Sequence, residues 1–129
     1  MSSAWLIVSR VLAVVNVAVV TVLFLTAGKV VQEGQLLDVH GSAAIALHVS
    51  SGLLTLALVG LAREAHARWW APACAFVLFG YSFVQAYLGE GMTLYMHIPG
   101  ALLVAALSVW LAAWLFLRPI GTHTVHSPR

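Results

Sequence analysis

Four long apolar runs separated by short polar segments dominate the chain, at roughly residues 5–27, 39–62, 69–88 and 94–117. Each is close to the ~20 residues that a helix needs to cross the hydrocarbon core of a bilayer. Hydrophobic residues make up 62% of the chain and charged residues only 8%. So few charges cannot clothe a water-facing surface, so the expected solvent is lipid. The expected fold is all-α: an integral-membrane four-helix bundle over residues 1–118, with a polar tail at 119–129.

Composition also removes several function classes. A net charge of +2 carries no nucleic-acid signal. Cys74 is the one cysteine, so no internal disulfide can form. There is no CxxC or CxxCH motif, which argues against a thiolate zinc site and covalent haem attachment. The first apolar run is longer than a signal-peptide core and has no clear cleavage site after it, so it reads as a retained span. Arg10, Arg63, Arg68, Arg118 and Arg129 fall on one side of a four-span topology. The positive-inside rule makes that side cytoplasmic, with both termini there, in a bacterial inner membrane. All five tryptophans lie toward the same ends and read as interfacial anchors.

Ionisable residues inside spans mark functional sites more often than surface ones do. His66, His123 and His126 lie in polar segments and read as solvated, which leaves His40, His48 and His97. Each could also be a histidine hydrogen-bonded to a neighbouring helix. His40 opens the second span, and His48 lies about 12 Å deeper on an ideal helix. Pro99 suits a first helical turn, which predicts that the fourth helix starts near Tyr95–His97. His40 and His97 then sit at similar heights at two helix starts, where the helix dipole favours the neutral imidazole that a metal needs. Two such histidines facing each other suggest axial ligands to a haem iron, that is, haem b. Ala43, Ala44, Gly100 and Ala101 would leave room for a flat ring. His48 points about 80° away from His40 on an ideal helix and is the alternative ligand, or a group beside the site.

In the third span Tyr81, Ser82, Gln85 and Gly89 form one polar stripe, expected to face inward. It suits haem propionates, a quinone or a neighbouring helix. Asn16 and Ser9 share a face of the first span and are also expected inside.

The stretch "VQAYLGEGMTLYMHIPGALLV" resembles the third-to-fourth-helix region of haem A synthases. That family carries a Gln-Ala-Leu-Leu-Gly-like sequence and then a histidine near the start of the next helix. Here the corresponding residues are Gln85-Ala86-Tyr87-Leu88-Gly89 and His97, and Asp38-Val39-His40 is similar to the family's acidic-then-histidine start of the second helix. The resemblance covers one four-helix half of the family, and extends to short four-helix bacterial membrane proteins with this half-fold. It implies one b-type haem held by His40 and His97. In the first outer loop the family's cysteine pair is absent, and Gly41 stands where the family usually has arginine.

Three functions follow as expectations. The first is a membrane b-type haem protein for electron transfer, or a small subunit of a redox complex, with quinone as the natural lipid-soluble partner. The second is a half-size haem A synthase-like oxidoreductase working as a homodimer. The third is a non-redox accessory subunit whose histidines only pin helices. Short loops leave much of the surface to lipid or to partner helices.

Overall fold

A computed structural model describes residues 4–64 and 69–117. Four helices follow one another: α1 (Ala4–Glu33), α2 (Leu37–Glu64), α3 (Trp70–Leu88) and α4 (Leu94–Leu117), with a 3₁₀ turn (Gly91–Thr93) leading into α4. Each is long and apolar enough to cross a membrane. Around the bundle α1 packs on α2 and α4, and α3 packs on α2 and α4. Short connections force neighbouring helices to run antiparallel. The loop holding His66 and the tail with His123 and His126 lie outside the described residues.

The core is narrow. Leu54, Leu58, Leu78, Leu111 and Leu115 are its largest fully buried apolar side chains. Only 22–44% of the most apolar window of each helix is buried inside the bundle, so most of the hydrophobic surface faces outward. A soluble monomer does not expose apolar area on that scale, whereas a helix bathed in lipid does. The interior carries the polar groups instead. Asn16 is 1% exposed and links three helices: its Nδ2 donates to Ser108 Oγ at 2.9 Å, and its Oδ1 accepts from Ser50 Oγ at 2.8 Å. Ser9 is buried on the same face of α1, as its spacing from Asn16 predicted.

Two helix ends differ from the sequence reading. First, α1 runs to Glu33, past the apolar limit near residue 27. Residues 28–33 contain no proline, and the i,i+4 pair Lys29–Glu33 closes at 2.6 Å, so loss of hydrophobicity does not end the helix. It ends at Gly34, whose φ of +64° reverses the chain. Leu36 also takes a left-handed φ of +63°, and its carbonyl accepts the His40 amide at 2.9 Å. Second, α4 starts at Leu94, where the fourth apolar run begins, but Pro99 lies in its second turn and not in its first. Without an N–H, Pro99 leaves the carbonyl of Tyr95 out of the helical ladder. The 3₁₀ turn supplies the start that Pro99 was expected to mark, and Thr93 Oγ1 donates to Leu88 O at 2.8 Å, fastening it to the end of α3.

The two ends of the bundle differ in chemistry. At one end Trp70 packs edge-on to Trp114 at 4.6 Å and lies 5.0 Å from Trp110. Arg10 Nε there donates to Leu115 O at 3.0 Å, supplying a donor to the last turn of α4. The other end carries His40 and His97.

Candidate functional site

His40 and His97 are each the fourth residue of their helix, so both lie in a first turn at the same end of the bundle. They are near enough to interact electrostatically. Each ring is held by one nitrogen. His97 Nδ1 lies 2.9 Å from the backbone carbonyl of Gln85, which can only accept, so Nδ1 carries the hydrogen. The same carbonyl accepts the Gly89 amide at 3.0 Å in the last turn of α3. Gly89 matters for this approach, because a Cβ there would sit 3.3 Å from His97 Cε1.

His40 Nδ1 lies 2.8 Å from Thr26 Oγ1. The Thr26 hydroxyl hydrogen is directed at the carbonyls of Val22 and Leu23, at 2.9 and 3.1 Å. Its oxygen therefore accepts from His40 Nδ1–H. The hydrogen-bond network thus assigns both rings the tautomer with a bare Nε2 lone pair. His97 Nε2 has no hydrogen-bond partner among the described residues, and the His40 ring has one further backbone neighbour, the Leu23 carbonyl. An anchored Nδ1–H with a free Nε2 is how a metal-ligating histidine is normally oriented.

Gln85 and Tyr81 lie against Gly100, three residues after His97. Gln85 is 5% exposed, and neither its amide nitrogen nor its amide oxygen has a partner among the described residues. Tyr81 is half-buried. A Cβ on Gly100 would collide with Gln85 Nε2 and would approach the Tyr81 hydroxyl to 2.6 Å. Gly100 therefore makes room for these two polar groups, and not for an open slot as the sequence suggested. Ala43 is buried and Ala44 and Ala101 are half-buried, so small residues do flank both histidines. Ser82 and Gln85 face inward as the stripe predicted, while Gly89 is exposed.

His48 stands apart from the pair. Its Nδ1 lies 2.7 Å from Ser82 Oγ, whose own hydrogen goes to Phe79 O at 2.6 Å. Its ring stacks on Phe83 at 4.1 Å with planes 9° apart. His48 lines a groove between α2 and α3 that neither His40 nor His97 lines. The anchors Thr26 and Ser82 were not assigned to histidines from sequence. Ser82 belonged to the recognised polar stripe, but nothing marks Thr26 except its place near the end of the first apolar run.

Among the described residues no three His, Cys, Asp or Glu side chains gather as a metal cage. The donor set is two imidazoles, on α2 and α4, at one end of the bundle. That suits an iron whose remaining ligands belong to a macrocycle, and it does not suit a free ion. No known protein family, curated protein or solved structure matches the chain.

Proposed function

We propose that the chain is a membrane-embedded b-type haem protein with His40 and His97 as axial ligands. The observation that carries this reading is the matched pair of first-turn histidines at one end of the bundle, each ring held through Nδ1 by a neighbouring helix. The partnerless amide of Gln85, on the residue whose carbonyl holds His97, supports it, because a buried polar group without a partner is costly unless a ligand completes it. A haem held this way supplies one-electron chemistry. The chain's own part is to hold both imidazoles oriented, with Gln85 and Tyr81 as polar groups on α3 near Gly100. Bis-histidine ligation leaves no open iron position, which favours electron transfer over oxygen chemistry. The likeness to one haem A synthase half points the same way. In this reading both termini are cytoplasmic, the histidine end faces outward, and the bundle works in a bacterial inner membrane as a homodimer or within a redox complex.

A specific observation favours a second reading. Each of the three histidines also ties two helices together, His40 to α1, His48 to α3 and His97 to α3. An accessory subunit with no prosthetic group needs nothing more from them.

Visible spectra of the detergent-purified protein, oxidised and dithionite-reduced, separate the two. A sharp reduced α-band that is lost in His40→Ala and in His97→Ala but kept in His48→Ala supports the haem reading. A colourless protein after expression with added haem rejects it in favour of the accessory role.

A further inference from the structure

We infer that the groove between α2 and α3 binds a membrane-soluble aromatic molecule of the hydroquinone class, whose hydroxyl donates to His48 Nε2. The groove is open along its length and offers about 540 Å³ of space, comparable in volume to small-molecule sites. Its walls are apolar and partly aromatic, with Phe76, Phe79 and Phe83 on α3 facing Val49, Gly52 and Leu56 on α2. Phe76 is 63% exposed and Leu56 66%, so the groove opens on the face that meets lipid. A ligand would enter it from the bilayer and not from water.

One group in this wall is out of place in hydrocarbon. Ser82 receives His48 Nδ1–H, because the Ser82 hydrogen is already spent on Phe79 O. His48 Nε2 is then a bare acceptor with no partner among the described residues. In an apolar medium an unpaired acceptor is unfavourable, and a lipid acyl chain has no donor to offer it. The occupant that completes the site therefore brings a hydrogen-bond donor, which a phenolic O–H supplies. The aromatic walls select its shape. Phe83 already stacks on the imidazole, and Phe79 meets Phe83 edge-on at 5.1 Å, so a flat ring entering the groove finds both faces and edges to pack on. Gly52 keeps the floor low, since a Cβ there would lie 3.2 Å from the Phe79 ring. A phenolic ring with a donor and an alkyl tail meets all of these demands together.

The inference does not depend on haem, because none of the lining residues is His40 or His97. The test uses the full chain in lipid nanodiscs and in the His97→Ala background, so that a failed haem reading cannot be mistaken for a failed groove. The probes are a decyl p-hydroquinone and its dimethyl ether, which has the same shape without the donor. The expected result is at least tenfold tighter binding of the hydroquinone, with His48→Phe, which keeps a ring but removes the acceptor, binding both probes alike. Val49→Trp, which fills the groove from an exposed wall position, is expected to weaken both probes and serves if His48→Phe does not fold. Equal binding of the two probes by the parent chain overturns the inference. So does a hydroquinone preference that survives His48→Phe, or binding untouched by Val49→Trp.

Discussion

His97 donates from Nδ1 to the backbone carbonyl of Gln85, at 2.9 Å, so the bond that orients this ring owes nothing to the Gln85 side chain. Backbone and side chain of one residue thus have separate tasks. The carbonyl fixes an imidazole, while the amide lies buried against Gly100 with neither polar atom paired among the described residues.

That separation predicts the behaviour of Gln85→Met. Methionine is unbranched and of similar length, so it can follow the same narrow path beside Gly100. A buried polar group without a partner costs about 1–3 kcal/mol. The variant without haem is expected to be at least as stable as the parent, by about 1 kcal/mol or more in detergent unfolding, with the His97 ring ¹⁵N shifts unchanged. A loss of stability would mean that the Gln85 amide is satisfied in the haem-free protein.

Two glycines that look alike in the sequence are expected to respond differently to alanine. At Gly100 the new methyl meets the buried Gln85 amide, which is 5% exposed, and the hydroxyl of half-buried Tyr81. At Gly60 it meets the Trp5 indole at 2.5 Å, but Trp5 is 45% exposed and can turn outward. Gly100→Ala should cost about 1–3 kcal/mol, the usual range for overpacking, and Gly60→Ala less than about 1 kcal/mol. Unfolding titrations compare the costs, and tryptophan emission should change only in Gly60→Ala. Adding Gln85→Ala should recover part of the Gly100→Ala loss, because the two side chains contend for one space. Strict additivity would contradict that contact.

Much of the architecture could be read from the sequence because lipid imposes it. Apolar runs of spanning length became α1 to α4, and the inward faces predicted for Asn16, Ser9, Ser82 and Gln85 followed from helical periodicity. Helix ends were less legible. The run to Glu33 and the second-turn place of Pro99 depend on hydrogen bonds around Gly34 and Thr93, which hydrophobicity does not encode. That His40 and His97 open their helices at one end of the bundle was legible from the limits of the apolar runs, although Pro99, expected to mark the fourth start, lies one turn further in. The partners of their rings were not. Whether His40 meets Thr26 depends on how α1 and α2 are rotated about their axes. A few tens of degrees, invisible in composition, decide it. For the same reason Gly100 read as an opening, when the structure fills that space from α3.

The Asn16 node offers a test of how the bundle is held. Asn16→Ala removes both interhelical bonds at once. Ser108 keeps its bond to Val104 O at 2.8 Å, and Ser50 keeps a longer one to Leu47 O at 3.3 Å, so neither hydroxyl is stranded. Interhelical hydrogen bonds in membrane bundles average about 0.6 kcal/mol. The expected loss is about 1–2 kcal/mol including the small cavity, read by unfolding in mixed micelles. A loss above about 4 kcal/mol would show that the node does more than join three helices.

Thr26 is the residue on which the haem reading and the helix-pin reading diverge. Its oxygen is the acceptor that holds His40 Nδ1–H and so keeps Nε2 bare. Thr26→Val removes that acceptor at almost constant volume and frees the ring to take the other tautomer, whereas Thr26→Ser retains the oxygen. If His40 is an iron ligand, Thr26→Val should reduce haem retention about 10–100-fold, the usual effect of losing a partner behind a metal-ligating histidine, and Thr26→Ser should stay near the parent. Haem titration followed at the Soret band measures this. The ¹⁵N shifts of the His40 ring in haem-free protein report the tautomer independently. If His40 only pins α2 to α1, the tautomer still changes and the bundle loses about 1 kcal/mol, but no chromophore responds. A tautomer unmoved by Thr26→Val would remove the hydrogen-bond argument on which the assignment of His40 rests.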